Sequence, residues 1–189
     1  MTAGIEMLLT PRPLERTDAE IAVVGFFTDE RPLRGGAARA DWRLCGGLSR
    51  RIESGELSGK SGEALLIGTG RALLAPRLLL IGLGDRQDFD RLRVSDESQQ
   101  AMDRVRRLGC SRVALSPLGI APDDVPRHAA ALLAGIREAC DSGEGPISVR
   151  LCVARSELPS VQRALEEARG AASAAQIRIS VAEGDAPRR

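Results

Sequence analysis

Gly82 and Gly84 close an apolar run in "RLLLIGLGDRQDF", residues 77–89, and the chain then turns charged. A strand feeding a phosphate-binding loop has this form, because glycine lets backbone N–H groups come close to an anion. The dinucleotide fingerprint also needs a third glycine where Gln87 stands, and a helix that begins at once. Asp85 and Asp88 enter the loop instead, and their carboxylates would repel a phosphate. The stretch therefore reads as a strand ending in a glycine turn, not as a Rossmann dinucleotide site.

Other reactive residues are sparse. His128 is the single histidine, so any Ser-His-Asp or Cys-His arrangement would have to use it. It sits beside Ala129-Ala130-Ala131 in the first turns of a predicted helix and reads as a surface residue. There is no G-x-S-x-G elbow, no H-E-x-x-H and no G-x-x-x-x-G-K-[ST]. Lys60-Ser61 lies in "SGELSGKSGE" ahead of a strand, whereas a phosphate loop follows a strand and opens a helix. Cys45, Cys110, Cys140 and Cys152 form no C-x-x-C pair. They read as four small buried hydrophobes in a reducing cytosol. Carboxylates are scattered, and Glu166-Glu167 lies on a solvated helix face. The expectation is no catalytic residue, no metal site and no cofactor.

Composition narrows the classes further. The 189 residues are 43% hydrophobic and 28% charged, ordinary for one well-buried globular domain, here taken to span 1–189. A net charge of +1 supplies no global field for nucleic acid or an anionic membrane. Aromatics are only 2%, too few for a base-stacking platform. Nearly all basic charge is Arg, which together with abundant Ala and Gly suggests a GC-rich bacterial genome. The N-terminus lacks the basic segment and apolar core of a signal peptide. No apolar run approaches the roughly 20 residues that span a bilayer. A cytoplasmic location without membrane contact is expected.

The elements that must position any site alternate. Strands are predicted over 4–9, 20–27, 64–69, 77–83, 112–117, 147–154 and 177–182, and helices over about 37–54, 95–108, 124–141 and 157–170. Gly46-Gly47 falls within the first helix and implies a close backbone approach or a kink. The seven-residue link between 64–69 and 77–83 allows an antiparallel hairpin. Strands at 20–27, 64–69, 77–83 and 112–117 are near-continuously apolar, which predicts one mixed sheet with helices on both faces. Residues 183–189 read as a frayed tail. The fold class is α/β, a three-layer α/β/α sandwich with a mixed, mostly parallel sheet.

This order of elements resembles the N-terminal domain of the leucyl aminopeptidase (cytosol aminopeptidase) family. The matching stretches are "AEIAVVGFFTDERPLRGGAARAD", "LCGGLSRRIESGELSGKSGEALLI" and "APRLLLIGLGDRQDFDRLR". In that family a helix with a mid-helix glycine pair leads to a "G-x-F-x-G-K-x-G-E" loop and a strand ending in "G-L-G-K". Here Leu57 replaces the aromatic and Asp85 the lysine. The resemblance covers about half the chain and implies a fold similar to macro domains. It also implies that the peptidase centre lies in a C-terminal domain, with motifs like "D-T-G-G" and "N-T-D-A-E-G-R-L". Neither occurs here, so no catalytic residue carries over. If these residues are the whole protein, a stand-alone N-terminal domain is expected.

Three functions follow from this. The first is a non-catalytic protein-interaction or regulatory module, docking on itself or on another protein. The second is a macro-domain-like binder of ADP-ribose or another phosphorylated nucleotide. "RGGAARA", residues 34–40, would form its phosphate loop, so that Gly35 and Gly36 face Gly82 and Gly84 across one pocket, with Asp85 and Asp88 facing the same space. The third is DNA binding by Arg104, Arg106, Arg107 and Arg112, against which the net charge weighs.

Overall fold

A computed structural model of the chain describes residues 4–141, 145–171 and 177–182. Its strands are β1 (Ile5–Thr10), β2 (Ile21–Phe26), β3 (Ala64–Gly68), β4 (Arg77–Gly82), β5 (Arg112–Leu115), β6 (Ile147–Cys152) and β7 (Ile177–Val181). Its helices are α1 (Gly35–Arg43), α2 (Gly47–Glu53), α3 (Arg91–Arg107), α4 (Val125–Asp141) and α5 (Leu158–Ala171). The strands form one sheet in the order β3-β4-β2-β5-β6-β1-β7. Every pairing is parallel except β3 with β4, which is the short hairpin the linker length allows.

The sheet has a core on each face. On one, Met102 and Val105 of α3, Ile136 of α4 and Leu165 of α5 meet Leu9, Val23, Val113 and Val149. On the other, Ala37 and Ala40 of α1 with Leu48 and Ile52 of α2 cover Ala22, Val24, Leu78 and Leu80. Three α/β/α layers result. β2 is buried at all six positions, as its unbroken apolar run requires.

Four expectations need correction. β3 is an edge strand, and Ala64, Leu66 and Gly68 leave one of its faces open, so it lacks the two-sided burial its composition predicts. The helix expected over 37–54 is two helices. Cys45 (φ 54°) and Gly46 (φ 77°) take the left-handed conformation, and the Asp41 carboxylate accepts from Leu48 N at 2.8 Å and Ser49 N at 3.1 Å, capping α2. Cys45 is thereby exposed and Cys152 is half-buried, so of the four cysteines expected in the core Cys110 and Cys140 are buried. α3 starts earlier than residue 95, because Asp90 caps it by accepting from Arg93 N at 2.9 Å. The tail expected over 183–189 lies outside the described residues. Among the described residues no helix is long and apolar enough to cross a membrane.

Candidate functional site

The chain leaves β2 toward β3 and β4 on one side of the sheet, and leaves β5 through α4 toward β6 on the other. Neighbouring parallel strands whose connections diverge open a crevice at their carboxyl ends, where ligands bind in doubly wound sheets. A cleft of about 250 Å³ lies there. Its walls are Gly35, Gly36 and Arg39 from the start of α1, the Ser116–Val125 connection after β5, Val153 to Glu157 after β6, and Arg12 after β1.

Local chemistry builds each wall. Gly35 has φ 54° with open space around it, a turn that most residues would resist. A Cβ on Gly36 would fall 2.4 Å from Ser116 Oγ and 2.6 Å from Ser116 Cβ. Only glycine lets the start of α1 seat against the end of β5. Pro117 ends β5, and Pro122 begins the turn that leads into α4. The Arg34 side chain does not cap α1, and Glu30 accepts from Arg34 N at 2.7 Å, so the N–H groups of Gly35 and Gly36 lie ahead of the first intrahelical bond, from Ala38 N to Arg34 O, at the cleft.

The electrostatics favour an anion. Arg12 and Arg39 stand against the single carboxylate of Glu157 in the lining. Cys152 lines the cleft as well, but desolvation pushes its thiol up to about 11, outweighing the hydrogen-bonding contact with Thr17 Oγ1 at 3.4 Å. It is not a thiolate nucleophile near neutral pH. His128 is not in the lining, and its Nδ1 lies 3.0 Å from Asp124 O. Among the described residues no group of three or more His, Cys, Asp or Glu lies placed to hold a metal ion.

The sequence-predicted glycines separate. Gly35 and Gly36 line the cleft, whereas Gly82 and Gly84 do not. A Cβ on Gly82 would fall 2.2 Å from Lys60 O, and Gly84 N donates to Gly59 O at 2.8 Å. The glycine pair therefore seats the 58–63 loop, which Glu63 holds by accepting from Ser58 N at 2.8 Å and Gly59 N at 2.9 Å. Asp85 and Asp88, expected to face the phosphate space, are not in the lining either. Asp85 accepts from Thr28 Oγ1, while Arg86 pairs with the buried Glu30 and stacks 4.1 Å from the Phe27 ring centroid. Arg39 falls within the predicted phosphate loop at 34–40, whereas Arg12 and the loops after β5 and β6 carry no signal in the sequence. The usable signal was the strand order, which no single run of residues carries.

Of the four arginines expected to meet DNA, Arg104, Arg106 and Arg112 are bound to the protein itself, and Arg107 is exposed. Arg104 donates to Gly62 O at 2.8 Å and Arg106 to Gly145 O at 3.2 Å. Arg112 faces Asp18 at 3.7 Å and Glu20 at 3.9 Å.

Residues 23–144 match the model of the N-terminal domain of the cytosol aminopeptidase family. A probable cytosol aminopeptidase of Nitrosococcus oceani is 30% identical over 110 residues, 58% of this chain and 22% of that protein. The chain thus spans about a fifth of the length of that curated relative. A variant of tomato leucine aminopeptidase aligns with TM-score 0.70 at 15% identity, over 92% of this chain and 37% of that one. A variant of the Oceanobacillus iheyensis macrodomain, solved with ADPR, aligns with TM-score 0.63 at 13% identity, over 85% and 92%. At these identities both structures speak to the fold alone, which is macrodomain-like.

Proposed function

The chain belongs to the cytosol aminopeptidase family through that family's N-terminal domain, and on that premise we propose that it is a non-catalytic module binding a small phosphorylated ligand in the β2–β5 cleft. The observation that carries this reading is the start of α1 at Gly35-Gly36, which lines a cleft where two arginines oppose one carboxylate. Non-catalytic character is supported by the absence of the peptidase motifs from the sequence.

Magnitudes set the ligand class. A helix N-terminus contributes about 0.3–1 kcal/mol toward an anion, and a charge-assisted hydrogen bond about 1.5–3 kcal/mol. The phosphate therefore rests mainly on the arginines. The cleft is smaller than the pockets that enclose drug-sized ligands, about 300–1,000 Å³. No aromatic side chain lines it, so a base finds no stacking partner. A phosphate with its sugar fits this lining, and the rest of a dinucleotide would lie outside. ADP-ribose, the ADPR of the macrodomain structure, is the natural probe.

Calorimetry with ADP-ribose tests the reading. The expected affinity is near 1 mM, about −4 kcal/mol. Arg39→Ala weakens it several-fold without changing the circular dichroism, because Arg39 is exposed. No heat at saturating ligand, or equal affinity in the variant, overturns it. A second reading, docking on protein, is favoured by a different observation, the open edge of β3.

A further inference from the structure

β3 ends the sheet, and among the described residues no strand lies beyond it. Its hydrogen-bonding parity follows from two flanking contacts. Gly82 N donates to Glu63 O, and Thr69 N donates to Pro76 O, each at 3.0 Å. Positions 63, 65, 67 and 69 therefore bond toward β4. Ala64, Leu66 and Gly68 direct their N–H and C=O groups outward, since alternate residues of an antiparallel strand bond to opposite sides.

Natural edges are guarded by charges, proline, bulges or a covering segment. "ALLIG" contains no charge and no proline, in a chain that is 28% charged. Glu63, the nearest preceding charge, is turned back onto Ser58 and Gly59. Leu66, at the middle of the strand, is 41% exposed. Beside the edge runs a groove of about 410 Å³, walled by Gly47 and Arg51 of α2, by Glu56 and by β3 itself.

We propose that this edge pairs antiparallel with β3 of a second copy of the chain, about a two-fold axis at Leu66. The outward bonding set is symmetric about that residue. Leu66 would meet Leu66 of the second copy, and Ala64 would meet Gly68 on either side, so that every outward N–H finds a C=O. A two-fold contact requires a self-complementary surface. The groove satisfies this in charge as well, because its Arg51 and Glu56 already pair at 2.7 Å and bring no net like charge to the axis. The pairing would join two seven-stranded sheets into one and place the two α2 helices side by side. It is independent of the cleft and of any ligand there.

Sedimentation equilibrium of the full chain gives the first test. The wild type is expected to be a dimer. Leu66→Lys places like charges opposite each other at the axis and is expected to be a monomer with unchanged circular dichroism. In a Cys45→Ser background, Leu66→Cys is expected to cross-link between chains on oxidation, because facing Cα atoms about 5.5 Å apart lie within disulfide reach. Leu92→Cys, more exposed at 74% but on α3, is expected not to. A monomeric wild type overturns the proposal, including one that pairs its edge only with a peptide of another protein. So does a dimer that survives Leu66→Lys or fails to cross-link through Leu66→Cys.

Discussion

Gly36 and Ser116 occupy nearly the same space: a Cβ on the glycine would lie 2.6 Å from the serine Cβ and 2.4 Å from its Oγ. This contact joins the start of α1 to the end of β5 and so forms the base of the cleft. Gly36→Ala is expected to cost about 1–3 kcal/mol, the usual penalty for overpacking. Ser116→Gly in the same chain is expected to restore most of it, since it removes both colliding atoms. Urea denaturation of the two single variants and the double variant checks this coupling. Substituting Gly36 also moves the fold, so exposed Arg39 is the cleaner site for probing the ligand.

Glu97 is buried on α3, where it accepts from Ser61 Oγ. Burial raises its carboxyl above the usual range, and the Ser61 hydroxyl, Arg93 and Arg104 only partly offset this. A carboxyl raised in the folded state contributes fully to stability below its unfolded value. That contribution is lost as pH rises through the folded value. Glu97→Gln keeps an acceptor for Ser61 and carries no charge. The variant is therefore expected to gain stability relative to wild type as pH rises from about 4 to 8. Urea midpoints of both proteins across that range measure the effect. A constant difference would contradict it.

The four cysteines should differ sharply in reactivity. Burial pushes the thiols of Cys110 and Cys140 upward, and that of Cys152 to about 11. Cys45 is exposed between α1 and α2. Ellman's reagent at mildly alkaline pH is expected to modify one thiol rapidly in the native protein and the rest on unfolding. Cys45→Ser should abolish the fast phase. A second fast thiol would show that reagent reaches Cys152 through the cleft it lines.

Much of the fold was legible in the sequence because apolar runs, glycine turns and helical spacing are local signals. The seven strands and the hairpin link of β3 and β4 follow from them. The open face of β3 does not, since "ALLIG" at an edge and "RLLLIG" beside it carry the same composition. Only strand order separates them. The break at Cys45-Gly46 was obscured because Leu48 and Ile52 keep the helical phase beyond it. The site was half legible. Gly35 and Gly36 were marked by their place before a helix. The glycine pattern points to Gly82 and Gly84, after β4, as the opposite wall, whereas β5 borders β2 on its other side. The two candidate loops sit at the same end of the sheet, and the one after β4 is filled by the 58–63 loop.

The central claim is that a phosphorylated ligand enters the cleft between β2 and β5. A backbone-amide NMR titration with ADP-ribose tests it most directly, because it reports both affinity and place. Shifts are expected to concentrate at Gly35, Gly36 and the 116–125 connection, to reach half-saturation at about 1 mM, and to weaken in Arg39→Ala. Shifts confined to Gly82 and Gly84, or none at saturating ligand, would contradict the claim.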